Sequence, residues 1–370
     1  MKYIQIHELV SYPASNLNRD DLGRPKTVKI GDSTRLRVSS QSLKRAWRTS
    51  SIMSEEFKVL GIRTKQLSET IAECLEKGIS LMDHIFGTNE VTRSPVDKKN
   101  AKKYGEEIDA VFRSSKKSND GEDDGEKQSE DGKKKKASKK QLFHYSDDEI
   151  RLVDSYMEAI SKGDSPEIKS ILSNKKYPVD IAMFGRMVAN DKSFNCEAAV
   201  QVAHSFTVHK AIVEEDYFTA VDDLNSDDDS GAGHLGETSF GAGLFYNYIC
   251  IDFELLVNNL GSETEAKKAV KALLEASATV SPSGKQNSFA SRAYASFVMI
   301  EKGKKQPRSL ASAFLKPIYG DDLLGKAIES LKNTQDNMNK VFGDCYDARY
   351  IMDVSVGEGS LKEAHAFLDE

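Results

Sequence analysis

From Tyr3 to Val10 polar and apolar residues alternate around Ile4 and Ile6, the period-two pattern of a strand. A polar stretch punctuated by Pro and Gly follows from Ser11 to Gly31, then a short Arg35–Val38 segment of strand character. Ser39 or Ser40 is placed to cap a helix from Gln41 to about Phe57. In that helix Leu43, Ala46 and Trp47 share one side, while Ser40, Lys44 and Arg48 recur on another with Gln41 and Arg45 beside them. Residues 65–112 and 147–176 read as mainly helical. Between them Ser114–Gln141 has Ala137 as its only apolar side chain, so it cannot offset its ordering entropy and is expected to be a disordered insertion.

Val179–Phe184 predicts a second strand, closing near Gly185-Arg186-Met187, and a long polar and acidic segment runs from Ala189 to Gly243. Leu244–Phe253, rich in Phe, Tyr and Ile, predicts a further strand. Thr264–Thr279 repeats Ala269, Val270, Leu273 and Ala276 at helical spacing; Ala293–Ile300 predicts a strand and Leu324–Phe342 a late helix. The order β-α-(insertion)-β-(insertion)-β-α-β is that of a ferredoxin-like split βαβ, an α+β fold whose sheet is also used by RNA-recognition modules.

Charge changes this picture more than composition does. The formal net charge is −6, but residues 1–50 hold ten Lys/Arg against four acids, a local excess of +6 that leaves −12 for the rest. A basic segment on an acidic body binds phosphate locally while the remainder limits indiscriminate binding. The cations of the first helix would stand near its N-terminus, where free N–H groups favour an anion. No apolar run reaches the roughly 18–20 residues of a membrane span, and no signal-peptide pattern opens the chain, so a cytoplasmic location is expected. The four cysteines (Cys74, Cys196, Cys250, Cys345) form no C-x-x-C pair and are expected to be reduced.

Three patterns mimic catalytic motifs. Gly231, Gly233 and Gly236 satisfy G-x-G-x-x-G, but they follow Asp227-Asp228-Asp229 and lead into a strand rather than a helix, which reads as a loop. His204, His209 and His234 match no metal-ligand spacing. Asp20-Asp21 could in principle hold a divalent cation for phosphodiester cleavage, though a structural role such as pairing with Arg19 or Arg24 suits an isolated pair better. No metal, cofactor or catalytic residue is expected, and the chain is not read as an enzyme.

Several longer blocks carry a resemblance: Leu17-Asn18-Arg19-Asp20-Asp21, Arg37 to Ala46 (RVSSQSLKRA), Gly185-Arg186-Met187, Ala203-His204, Phe218 to Leu224 (FTAVDDL) and Ala232 to Gly236. Together they resemble the CasC-type backbone subunit of the type I-E CRISPR Cascade. The resemblance reaches from the N-terminus to about residue 300 and is weak over about 60–178. It implies a hand-like subunit. Residues 1–59, 178–188 and 244–370 would form an RRM-like palm, 60–177 helical fingers with the 114–141 insertion, and 189–243 an extended thumb. Several copies would line one CRISPR guide RNA and present its bases to target DNA, alongside other Cascade subunits and a recruited nuclease, with no membrane partner.

The RNA contacts so implied are Asn18, Arg19, Ser39, Gln41, Lys44, Arg45 and Arg48 on the palm, with Arg48 where the family usually has Lys. Met187 matches a palm methionine that packs on a displaced nucleotide. Tyr217, Phe218 and Thr219 match a thumb wedge, with Tyr217 in place of the expected Trp. Lys285 falls in a palm loop. Asp222 and Asp223 would face a neighbouring subunit.

Overall fold

The computed structural model describes residues 1–58, 60–87, 89–112, 142–166, 177–188, 192–220 and 234–370. The chain divides into two compact units, Met1–Lys58 with Ala199–Glu370, and Val59–Ala198. The expected insertion Ser114–Gln141, Asp222 and Asp223, and Gly231 and Gly233 lie outside the described residues.

The first unit opens with β1 (Tyr3–Ser15), β2 (Thr27–Ile30), β3 (Ser33–Val38), α1 (Ser40–Arg48) and α2 (Ser51–Glu56). The second contains β4 (Ile62–Thr64), α3 (Leu67–Lys77), α4 (Leu81–Phe86), α5 (Lys98–Phe112), β5 (Phe143–Tyr145), α6 (Asp147–Ser161) and α7 (Val179–Phe184). The chain returns to the first unit with β6 (Val200–Val202), β7 (Ser205–Thr207), β8 (Glu214–Ala220), β9 (His234–Asp252), α8 (Phe253–Leu260) and α9 (Glu263–Thr279). It finishes with α10 (Gln286–Phe289), β10 (Ala295–Gly303), α11 (Leu323–Phe342), β11 (Ala348–Asp353) and α12 (Leu361–Asp369).

The first unit is built on one antiparallel sheet in the order β11-β10-β1-β9-β7-β3-β2, with β6 and β8 also paired to β9. β1 is flanked on both sides: Ile6 lies opposite Ile300 of β10 and Ile249 of β9. One face carries Leu9, Tyr246, Phe297 and Met299 against Leu310, Phe314 and Leu331 of α11 and the turn before it. The other face meets α9, whose Ser277 reaches Glu8 of β1. Both faces are therefore covered, which is why even the polar positions Gln5, His7 and Glu8 are buried. On the α11 face the polar groups answer one another: Tyr246 Oη stands 2.8 Å from His7 Nδ1, and Arg308 donates to Glu301 at 2.7 Å. Burial alone would raise the Glu301 carboxyl, but His7 and Arg308 hold it down at about 2.

In the second unit Leu67, Ile71, Ile108, Phe112, Tyr145, Ile150 and Val153 share one core. Ser146 and Glu149 cap α6 reciprocally. Glu149 also receives Arg186 at 2.7 Å in a pair that is almost fully buried.

Four expectations are corrected. Val179–Phe184 is helix α7, not a strand: it is buried on all sides, so periodicity cannot type it, and Pro178 sits at its N-cap while Gly185 ends it at φ +81°. The strand next to β9 comes instead from Val200–Thr207, inside a stretch read as polar connection. The Gln41–Phe57 helix is two helices, because Ser50 accepts from Met53 N–H and starts α2 afresh. β9 begins ten residues before Leu244 and ends at Asp252, which caps α8 through Leu255 N–H.

Candidate nucleic-acid interface

The geometry of the basic segment begins at Asn18. Its main-chain carbonyl accepts from Lys26 N–H at 2.8 Å, and Lys26 O in turn accepts from Arg37 N–H at 2.8 Å. Its side-chain Oδ1 accepts from Ser39 N–H at 3.0 Å, and Ser39 Oγ then caps α1 by accepting from Ser42 N–H at 3.3 Å. Asn18 and Ser39 thus hold the loop and the helix start to each other, and the Asn18 NH2 group is the part of that side chain suited to a ligand. Arg19, Gln41 and Arg45 are exposed; Lys44 and Arg48 are half-buried. Burial lowers the Lys44 ammonium pKa. The side chains offer amide and cationic donors with no base-edge pattern, the chemistry of sequence-independent phosphate and sugar contacts.

The electrostatics differ from expectation in one respect. α1 ends at Arg48, so Arg45 and Arg48 occupy its last turn, at the negative end of the helix dipole. At its start, Ser40 N–H already goes to His204 Nδ1 at 3.3 Å and Ser42 N–H to Ser39 Oγ. Those two N–H groups are thus already engaged, while the cations give this surface its attraction for an anion.

Lys285 is brought to the same neighbourhood by backbone contact. Gly284 lies against Leu17, where a Cβ would stand 2.2 Å from the carbonyl oxygen. Lys285 follows in the left-handed region, φ +47°, and donates to Thr238 Oγ1 at 3.1 Å. Thr238 belongs to the β8–β9 hairpin, whose register places Tyr217 opposite Glu237, Phe218 opposite Gly236 and Thr219 opposite Leu235. Tyr217 is 66% exposed and Phe218 43%. The Phe218 ring lies over Gly236, so the last glycine of the G-x-G-x-x-G pattern is in a strand, where its missing side chain makes room for that ring.

Asn18, Arg19, Ser39, Gln41, Lys44, Arg45, Arg48, Tyr217, Phe218, Thr219 and Lys285 all belong to the first unit; Met187 belongs to the second. Met187 is 68% exposed while its neighbour Arg186 is buried. Lys26, Arg37 and His204 of the loop–helix junction are not among the implied RNA contacts. The charge excess of residues 1–50 and the blocks beginning at Arg37 and Ala203 mark them in the sequence, but nothing local there shows that His204 bonds Arg37 and Ser40.

Asp20 is used locally. Its Oδ1 accepts from Leu22 N–H and Arg24 N–H, both at 2.9 Å, so the carboxylate closes a turn through main-chain groups and not, as expected, by pairing with an Arg side chain. No cluster of three or more metal-ligating side chains forms among the described residues, and no helix among them is long and apolar enough to cross a membrane.

The CT1975-like protein family matches residues 4–368. Among solved structures the chain is similar to one from a "CRISPR RNA-guided surveillance complex, pre-nicking", with 29% identity, TM-score 0.77 and 99% of each chain covered. It is also similar to one from a "CRISPR RNA-guided surveillance complex", with 27% identity, TM-score 0.59, and 99% of this chain and 98% of that one covered. No curated protein matches.

Proposed function

Since this chain belongs to the CT1975-like protein family, we propose that it is a guide-RNA-binding backbone subunit of a Cascade complex, of type I-E, with no chemistry of its own. The observation that carries the proposal is the end-to-end likeness, at 29% identity, to a chain of a CRISPR RNA-guided surveillance complex. Copies would assemble along one guide RNA and present its bases for pairing with target DNA. In such a division of labour pairing reads sequence while the protein holds the backbone. Other Cascade subunits and a recruited nuclease would complete the particle.

The order β10-β1-β9-β7, with α1–α2 and α8–α9 on the crossovers, supports a ferredoxin-like palm. Its sheet face opposite α9 is covered by α11, so RNA would run along the loop–helix junction rather than over the sheet. Asn18, Arg19, Ser39, Gln41, Lys44, Arg45, Arg48 and Lys285 would hold phosphate and sugar. Tyr217, Phe218 and Thr219 would serve as the wedge of a thumb, and Met187 would pack on a displaced nucleotide.

Co-expression with a repeat–spacer RNA and the partner subunits, followed by size exclusion and sequencing of bound RNA, tests this reading. A large multi-copy particle holding one processed guide is expected; a monomer with mixed cellular RNA would overturn it. A metal-dependent ribonuclease using Asp20 or Asp21 is the other reading, and the turn-closing role of Asp20 weighs against it. Regular cleavage of complementary RNA in magnesium, lost in Asp20→Ala or Asp21→Ala, would establish it instead.

A further inference from the structure

We propose that His204 is a fixed-tautomer phosphate contact, a neutral imidazole whose Nε2–H donates to an RNA phosphate oxygen beside Arg37. The proposal rests on the RNA-binding reading above and adds a residue to it.

His204 lies between β6 and β7 and is exposed. Its Nδ1 is approached by two groups that can only donate: Arg37 Nη1 at 3.0 Å and Ser40 N–H at 3.3 Å. Nδ1 must therefore be the unprotonated acceptor, and the ring's single proton is on Nε2. Among the described residues both hydrogen bonds of the ring go to Nδ1 and none to Nε2. Partial burial and the positive charges of Arg37 and Lys26 lower the pKa, so the ring stays neutral where an ordinary surface histidine would begin to charge.

The product is an outward donor carrying no charge of its own, set among cations. A phosphate oxygen matches it: the cations supply the field and the imidazole supplies direction. A ribose 2′-hydroxyl could accept the same bond, and the test below separates the two. Arg37 gains as well. The imidazole lone pair takes one of its five N–H donors and holds the guanidinium beside the start of α1, whose first N–H shares that lone pair.

The test uses the full chain and a single-stranded oligouridylate, with affinity measured by fluorescence anisotropy from 0.05 to 0.3 M salt. His204→Asn keeps an acceptor near the Nδ1 position for Ser40 and Arg37 but removes the outer donor. It should weaken binding about tenfold, the effect of losing one hydrogen bond to a charged group, and leave the salt slope unchanged because no cation is lost. Arg37→Ala should weaken binding and also flatten the slope by roughly 0.7.

Nitrogen-15 spectra of labelled histidine should show Nε2 protonated at pH 7. A deoxyuridylate of the same length should lose as much affinity as the RNA does on His204→Asn; loss confined to the RNA would assign the contact to the 2′-hydroxyl and overturn the phosphate claim. Full affinity in His204→Asn would reduce His204 to a positioning residue and also overturn it. Absence of oligouridylate binding by the unsubstituted chain would instead refute the RNA-binding reading on which the proposal depends.

Discussion

Replacing Glu8 by Gln should stabilise the first unit at pH 8 and do little at pH 4. Glu8 is fully buried on β1, facing α9, and no cation among the described residues contacts it. Its Oε2 accepts from Asn247 Nδ2 at 3.1 Å, and its Oε1 is 2.5 Å from Ser277 Oγ, which also lies 3.0 Å from Leu274 O. Ser277 has one proton to give. With Glu8 protonated, the acid donates to Ser277 and Ser277 donates to Leu274; with Glu8 ionised, the hydroxyl must turn to the carboxylate and the Leu274 contact is lost. Burial raises the carboxyl from 4.5 to about 7, with the hydrogen bonds from Ser277 and Asn247 only partly opposing it.

The sign follows from linkage. Below 4.5 Glu8 is protonated in both states. Between 4.5 and about 7 the unfolded chain releases a proton that the folded chain keeps, so stability falls; above 7 the loss is complete. At 1.36 kcal/mol per pKa unit the gap amounts to roughly 3 kcal/mol at most. Gln can donate to Ser277 and accept from Asn247 without a charge, so Glu8→Gln should recover most of that at pH 8. Trp47, the only tryptophan and a buried residue of this unit, provides the readout: urea unfolding followed by its fluorescence at pH 4, 6 and 8. Identical pH dependence in parent and variant, or a less stable variant at pH 8, would refute the reasoning.

Lys44→Ala with Arg48→Ala should weaken RNA binding and reduce its salt slope by about 1.4, or roughly 0.7 per lost single-strand phosphate contact; unchanged affinity and slope would remove α1 from the interface. Gly236→Val should spoil the β8–β9 hairpin, because its Cβ would stand 2.3 Å from Phe218 Cζ; unchanged protease resistance and RNA binding would show the ring can swing away at no cost. Arg186→Met removes the guanidinium paired with the buried Glu149 carboxylate and should cost about 3–5 kcal/mol in the second unit; hydrogen exchange of α6 no faster than in the parent would contradict this.

Much of the sheet was legible because its long strands carry their own signal. The Ile4–Ile6 alternation, the Phe/Tyr/Ile run at 244–252 and the helical spacing of Ala269, Val270, Leu273 and Ala276 each set a period and a length. β6 and β7, three residues each, are defined by pairing with β9 and are too short to show a period of their own. α7 was mistyped because burial on every side erases the helix–strand distinction. The basic loop and α1 were legible from charge and capping, but the role of Asn18 Oδ1 and the His204 contacts depend on partners 21 and 164 residues away. No local pattern encodes such pairings.

The position of β1 between β10 and β9 sets an order of events at the ribosome. Tyr3–Ser15 become the middle of the sheet, yet their partners 241–252 and 295–303 are synthesised more than two hundred residues later. At roughly 5–20 residues per second, β1 waits ten seconds or longer with Ile4, Ile6 and Leu9 unpaired. Meanwhile the uninterrupted block Val59–Ala198 can finish folding. The nascent chain therefore carries a folded middle behind an adhesive, unpaired strand, a natural client for a chaperone that shields apolar strands until the sheet can close around them.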